Sequence, residues 1–336
     1  MRFGPVPTGE ALGALLGHGR MIGGRRLPKG RSLTPDDIAL AEREGVTELV
    51  VAQLDPGDVG EDEAAVAIAA ALAGAGVEAS VPRHGRVDLI ALHDGLFHCD
   101  GAAIDAVNLV TEAIGLGTLH PCRPVRAGDA VATMKIIPYA IGGQALAAAI
   151  AAARRADIGV RPFALPATAL IQTRLPGQPD KMFAGTAVAT RQRLARLGAA
   201  LAAEHICNHD EAALARRLGE QDEAIVLVAG ASATVDRRDV IPAAIVAAGG
   251  EVERLGMPVE PGNLLCLGRI GGRIVIGLPG CARSPRRNGI DLVLERIAVG
   301  LPVDGGVIAR MGVGGLIADQ IRRDGPYGQE AWEPED

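Results

Sequence analysis

The sequence of 336 residues predicts an α/β protein: a C-terminal, largely parallel sheet with helices on both faces, preceded by a mixed α+β region. Three observations predict it. From about residue 156 onward, short apolar runs alternate with helical patterns of roughly ten to fifteen residues, the grammar of βαβ units. Hydrophobic residues make up 48% of the chain while aromatics make up only 2%, so aliphatic side chains must fill the interior, as where helices pack on Val/Ile-rich strands. The length suits two domains. The expected division is an α+β region at 1–155, an α/β domain at 156–320 and an acidic, disordered tail at 321–336.

In the N-terminal region, LPKGRSLTPDDIALAEREG carries a helix grammar: Thr34 caps, Pro35 takes the first helical position, Asp36 and Asp37 suit the first turn, and Gly45 terminates. A strand is expected at 46–54 and a helix at 61–76. Residues 86–92 and 96–99 read as a hairpin turning at Asp94-Gly95. A helix follows at 101–114, then a turn at RAGD (126–129), a strand in AVATMKIIPYA and a helix at 144–156.

In the C-terminal region, FALPATALIQT reads as a strand, TAVATRQRLARLGAAL as a helix, AEHICNH as a short strand and DEAALARRLGEQ as a helix. AIVLVAG (224–230) is a buried strand, and DVIPAAIVAAGG is a helix closed by Gly249-Gly250. LLCLGRIGGRIVIGLPG (264–280) is a hairpin turning at Gly271-Gly272, and Ser284-Pro285 is expected to open the last helix.

Several function classes are disfavoured by composition. A net charge of -6 with a pI near 5.7 lacks the basic footprint of a nucleic-acid binder. Five cysteines with no CxxC pair suggest a reduced, cytoplasmic chain rather than a disulfide framework. The start, MRFGPVPTGEALG, does not read as a signal peptide. The longest near-apolar stretches, around 65–77 and 140–153, fall short of the ~20 residues a membrane span needs. No GxGxxG, GxxxxGKS/T, GxSxG or HExxH motif occurs.

Two loops could carry chemistry. In VAGASATVDRRD (228–239) a buried strand runs into a small-residue turn before a helix. That is where open parallel sheets bind anions. Gly230, Ala231 and Ala233 would let a ligand approach the backbone, Ser232 offers a hydroxyl, and Arg237 and Arg238 add positive charge. Asp236 and Asp239 could bind a hard cation such as magnesium or a pterin-like amide edge. A plain strand–turn–helix connection capped by Asp239 accounts for the pattern equally well. In GLPGCARSPRRN (277–288), Pro279-Gly280 opens a loop, and Arg283, Arg286 and Arg287 cluster where a helix dipole disfavours them unless an anion sits among them. Solvated arginines explain this pattern about as well. His93, His98, Cys99, His120 and Cys122 are residue types that ligate zinc, yet their spacing matches no standard signature. His205, Cys207 and His209 alternate along a strand and are better read as structural or exposed.

These loops resemble the molybdopterin-binding domain shared by molybdopterin adenylyltransferases and molybdenum insertases. The order strand, AGASATVDRRD, helix, PGNLLCLGRIGGRIVIGLPGCARSP, helix is the same, and 261–284 is the most specific stretch. LPKGRSLTPDDIALAEREGVTELVVAQLDPGDV is similar to insertase sequence. VRAGDAVATMKIIPYAI and ALIQTRLPGQPDKMFAGTAVATRQRLARLG resemble a bacterial subfamily, some of whose members are fused to a molybdenum cofactor cytidylyltransferase-like domain. The resemblance spans roughly residues 5–320.

The family pattern is not kept throughout. Gln172-Thr173-Arg174-Leu175-Pro176-Gly177 replaces the family's Thr-Gly-Asp-Glu segment, Ala229-Gly230 its Gly-Gly pair, and Cys281 the Asn after Pro-Gly. The downstream carboxylate is shifted to Asp236 or Asp239. The insertase segment Asp-Asn-Ser-Ala-Met-Asp-Gly and its C-terminal β-domain have no counterpart.

The resemblance implies molybdopterin or molybdenum cofactor binding in cofactor biosynthesis. The protein would be either a molybdopterin molybdotransferase-like enzyme or a carrier serving a nucleotidyltransferase, in a homo-oligomer. Gly230, Ala231, Ser232, Arg237, Pro279, Gly280, Cys281, Arg283 and Ser284 would bind the cofactor. Asp236 and Asp239 would act in catalysis or hold magnesium. The alternative is a zinc-responsive regulator using the N-terminal His/Cys cluster.

Overall fold

The computed structural model describes residues 1–317, so the expected tail at 321–336 lies outside the described residues. The chain divides into two compact units, Met1–Arg161 and Pro162–Asp336. Among the described residues no helix is long and apolar enough to cross a membrane.

The first unit combines small antiparallel sheets and helices over two aliphatic cores. Its opening helix, Pro35–Arg43, has a complete capping box: Thr34 accepts the Asp37 N–H, and Asp37 accepts the Thr34 N–H at 3.1 Å. Arg31 donates to the same carboxylate at 2.8 and 3.2 Å, which holds the fully buried Asp37 below its ordinary pKa despite its burial. A four-stranded sheet, in the order Ile114–Thr118, Ala130–Ile136, Arg86–Ala91, Val77–Ala79, packs with Glu61–Leu72 and Gly143–Ala153 around the larger core.

Two expectations for this unit are corrected. Arg86–Ala91 and Gly95–His98 do not pair with each other: the first joins Ala130–Ile136 and the second Pro124–Val125, in different sheets. Asp94 does not close a tight turn. Its carboxylate accepts the Ala127 N–H at 3.0 Å, and a Cβ on Gly95 would meet the Arg161 carbonyl at 2.2 Å, so glycine serves close backbone approach there. The helix expected over 101–114 ends at Asn108, whose amide exchanges two hydrogen bonds with the Leu116 backbone and draws the chain into the strand Ile114–Thr118.

The second unit's elements are numbered in chain order. Its strands are β1 (Thr168–Arg174), β2 (Leu201–Asn208), β3 (Ile225–Ala229), β4 (Glu251–Leu255), β5 (Cys266–Ile270) and β6 (Arg273–Gly277). Its helices are α1 (Asp180–Ala195), α2 (Glu211–Gly219), α3 (Val240–Ala247), α4 (Gly289–Ala298) and the short α5 (Gly305–Ala309). They form one six-stranded sheet in the order β2-β1-β3-β6-β5-β4. Pairing is parallel from β2 to β6 and antiparallel through β5 and β4, so the sheet is mixed at one edge.

Side chains alternate along each strand, and the two cores follow that period. Leu170, Ile225, Leu227 and Ile276 pack with α1 and α4 residues such as Leu194, Ile290 and Leu294. Ile171, Val226, Val228 and Val275 pack with Leu214 and Leu218 of α2 and Ile241 and Ile245 of α3. Helices therefore cover both faces.

Two helix starts differ from expectation. α1 begins at Asp180, upstream of the expected 186, and α4 is capped by Asn288 in a capping box with Asp291 rather than by Ser284. The expected opening, Ser284-Pro285, instead follows a 3-10 turn, Gly280–Arg283, of which Ser284 is the C-cap.

Candidate functional site

Parallel pairing brings several carboxyl-terminal strand ends to one rim. Thr173 lies opposite Cys207, Gln172 opposite Ala229, and Val228 opposite Gly277. The chain leaving β6 stays in register, since Leu278 N–H donates to the Val228 carbonyl at 2.8 Å. The loop after β3 and the loop after β6 consequently meet, and between them lies a cleft of about 230 Å³. Residues 229–234 form one wall, while Leu278, Pro279, Gly280 and Arg283, with Leu264, form the other.

Gly230 turns the first loop. A Cβ there would stand 2.9 Å from the Ser232 carbonyl oxygen and 3.0 Å from the Ile241 side chain, so no larger residue fits without movement. Its carbonyl accepts from the Arg283 guanidinium at 2.6 Å, which ties one loop to the other. The Ala231 N–H is not free: it donates to Thr173 Oγ1 at 2.8 Å. Among the described residues, no acceptor faces the N–H groups of Ser232, Ala233 and Thr234. Ser232, Ala233 and Thr234 line the cleft with these N–H groups unpaired. The Ser232 hydroxyl is exposed and lies 2.8 Å from His209 Nε2.

The loop's two carboxylates are directed at the protein itself. Asp239 Oδ2 accepts the Val235 and Asp236 N–H groups at 2.6 and 2.9 Å, so its side chain ties the turn together rather than capping α3. Asp236 accepts both the backbone N–H and Nε of Arg238 at 2.9 Å. Asp236 is held below its ordinary pKa by the Arg238 side chain, and Asp239 by those two backbone donors. Arg237 reaches away from the cleft to the Val252 carbonyl at 3.0 Å.

Of the three arginines expected near the second loop, Arg283 alone lines the cleft. It donates to Thr186 Oγ1 at 3.0 Å and to the Gly230 carbonyl, both neutral, and among the described residues no carboxylate pairs with it. Burial lowers its pKa, which states the cost of partly desolvating an uncompensated charge. Arg287 is taken up by the buried Glu295 in a two-pronged ion pair. Arg286 is exposed, with its backbone N–H on Ser284 Oγ. Cys281 and Ser284 flank the cleft without lining it, and burial raises the Cys281 thiol pKa, so it carries little thiolate at neutral pH.

The second loop is held from beneath by Arg193 of α1, only 4% exposed. Its Nε donates to Asp291 at 2.7 Å, while its other nitrogens reach the carbonyls of Ala282, Ser284 and Arg286 at 3.1, 3.0 and 3.2 Å. Asp291 in turn accepts the Asn288 N–H at 2.8 Å.

Thr173, Thr186, Arg193 and His209 are parts of this arrangement that sequence reasoning missed. Position at or next to the carboxyl end of a parallel strand was the available signal for Thr173 and His209. Arg193 and Thr186, inside a helix, gave none.

Among the described residues, no group of three or more His, Cys, Asp or Glu side chains is placed to hold a metal ion. The alternative of a zinc site on His93, His98, Cys99, His120 and Cys122 finds no support in this arrangement. His93 Nδ1 lies 3.1 Å from the Asp94 carbonyl, and the imidazole of His98 stands 3.8 Å from Asp157. Burial lowers the pKa of His98 and raises that of Cys99.

No family model matches the chain, and no curated protein matches it. The solved structures it is similar to include two Pyrococcus proteins. A molybdenum cofactor biosynthesis protein from Pyrococcus furiosus is 10% identical over 90% of this chain and 66% of that one, with a TM-score of 0.24. The molybdopterin biosynthesis moea protein from Pyrococcus horikosii is 15% identical over 89% of this chain and 76% of that one, with a TM-score of 0.29. The chain thus spans just under two thirds of the first. At these TM-scores the likeness carries no argument about the cleft, which stands on its own geometry.

Proposed function

We propose that the cleft binds the phosphate-bearing end of molybdopterin, or of its nucleotide derivative, during molybdenum cofactor assembly. The observation that carries this reading is Arg283, a half-buried guanidinium set across a cleft from residues 232–234; among the described residues it has no counter-ion and their amides have no acceptor. Such a site is electrostatically incomplete until an oxyanion enters. A phosphate would accept from the amides of residues 232–234, from Ser232 and from Arg283. Leu264 and Leu278 offer apolar surface for a ring system. The sequence resemblance of 228–239 and 261–284 to molybdopterin-binding domains supplies the pterin. Gly230, Pro279 and Gly280 shape the walls, whereas Arg237, Cys281 and Ser284 have no direct role.

Between insertase and carrier, the side chains favour the carrier. Metal insertion calls for carboxylates free to hold a cation, and Asp236 and Asp239 are engaged by the loop's own donors. In this reading the protein holds cofactor for a molybdenum cofactor nucleotidyltransferase or a target enzyme, in the cytoplasm, as a homo-oligomer.

Protein purified from a molybdenum-replete host and oxidised with iodine should release a fluorescent phosphorylated pterin in proportion to protein. Arg283→Ala should abolish that yield while the melting temperature stays within a few degrees. A pterin-free wild-type preparation, together with no pterin uptake on incubation with cofactor, would sink the reading.

A further inference from the structure

Thr173, His209 and Ser232 form one hydrogen-bonded chain leading into the cleft, and its proton positions follow from counting donors and acceptors. Thr173 is fully buried. Its hydroxyl oxygen already accepts the Ala231 N–H at 2.8 Å, and its own proton needs an acceptor. Among the described residues the acceptor within reach is His209 Nδ1, at 2.8 Å. Were Nδ1 protonated instead, the threonine oxygen would receive two N–H groups and its proton would be buried without a partner, an arrangement disfavoured in folded proteins. The ring therefore carries its proton on Nε2 and donates it to Ser232 Oγ, at 2.8 Å.

We infer that His209 is a positioning residue that turns Ser232 into a fixed hydrogen-bond donor for a phosphate monoester, and that Ser232 is not a nucleophile. With the serine oxygen occupied by the imidazole N–H, the hydroxyl proton is the group left to face the cleft. No lone pair on Nε2 remains to take that proton, so the arrangement cannot activate Ser232 for attack. The neighbouring groups agree in sign. The Ser232 hydroxyl proton and the Arg283 guanidinium, both at the cleft, are donors, so they favour a group whose oxygens are acceptors only. A phosphate dianion satisfies this; a group presenting its own N–H or O–H does not. Burial depresses the His209 pKa against the opposing carboxylates of Asp239 and Asp210, consistent with a neutral ring at pH 7.

This inference rests on the cleft being an anion site, as proposed above, but not on the anion being a pterin, and the test separates the two. Long-range proton–nitrogen correlation spectra of the wild-type protein, labelled at histidine, should show His209 with a pyridine-type Nδ1 and a pyrrole-type Nε2. Titrated with inorganic phosphate, Ser232→Ala and His209→Ala should each weaken binding roughly tenfold, the loss of about one hydrogen bond to a charged group. The double variant should be no weaker than either single one, because His209 acts through Ser232. His209→Gln, whose side-chain amide can reproduce the Nε2–H donor, should restore most of the affinity.

A pyrrole-type Nδ1 in the wild type overturns the inference, and so does wild-type phosphate affinity in His209→Ala. The spectral result needs no variant, so a misfolded mutant cannot obscure it. Protein that binds phosphate in this pattern yet carries no pterin supports the relay while removing the pterin reading.

Discussion

Arg283 is the residue on which the charge of the cleft depends. Its guanidinium spans Thr186 Oγ1 and the Gly230 carbonyl, so its head is fixed before any ligand arrives. Replacement by alanine should raise the phosphate dissociation constant about ten- to a hundredfold, the usual range for a charge-assisted hydrogen bond, measured by calorimetry. Lysine keeps the charge but loses the planar fork, and should recover only part of the affinity. Gly230→Ala places a methyl against the Ser232 carbonyl and Ile241. It should cost about 1–3 kcal/mol of stability by overpacking, read in a denaturant titration, and should weaken phosphate binding as well. Asp239 sets a pH dependence. Its carboxylate is held below its ordinary value by the Val235 and Asp236 N–H groups, so it stabilises the loop above the unfolded pKa. That contribution is lost as pH falls through the depressed folded value. Protection of the Val235 and Asp236 amides, their exchange relative to the intrinsic rate at each pH, should fall below the normal carboxylate range, and in Asp239→Ala it should be low at neutral pH as well.

At the scale of elements, α1 and α4 position the second loop. Arg193 and Asp291 are both nearly buried, and the arginine also satisfies three carbonyls of the turn. Removing one partner leaves a buried charge and orphaned acceptors. Arg193→Ala should therefore cost about 3–5 kcal/mol in unfolding free energy. The surface pair of Arg217 on α2 and Glu220, its C-cap, should cost under about 1 kcal/mol when broken. Equal losses for the two in denaturant titrations would show that the clamp contributes no more than a solvated contact. The Asn288 cap is a smaller matter of the same kind, with Asn288→Ala expected to lower stability by about 1 kcal/mol.

For the whole molecule, the relevant feature is that each unit carries its own cores. The aliphatic clusters of Met1–Arg161 and those of the second unit share no residue. A fragment spanning residues 162–336 should then fold by itself, with cooperative thermal unfolding and the phosphate affinity of the full chain. A fragment that is unfolded by circular dichroism would refute this independence.

What the sequence determined by itself was governed by local chemistry. Thr34, Pro35 and Asp37 wrote the first helix start, Gly271-Gly272 wrote the hairpin between β5 and β6, and the Val/Ile run at 225–229 wrote the central strand. Two glycine-containing loops at strand ends were legible because small residues and missing side chains leave a mark on composition. Tertiary structure decided the rest, because pairing and proton placement depend on residues far apart in the chain. Asp94-Gly95 reads locally as a hairpin turn, yet its strands find partners elsewhere. Arg237 and Arg283 look alike as loop arginines, and packing sends one to the Val252 carbonyl and the other into the cleft. His209 looks exposed until the register of β1 against β2 sets it between Thr173 and Ser232. The physical reason is the same in each case: a backbone turn is specified within a few residues, whereas which donor meets which acceptor is settled only when the sheet has formed.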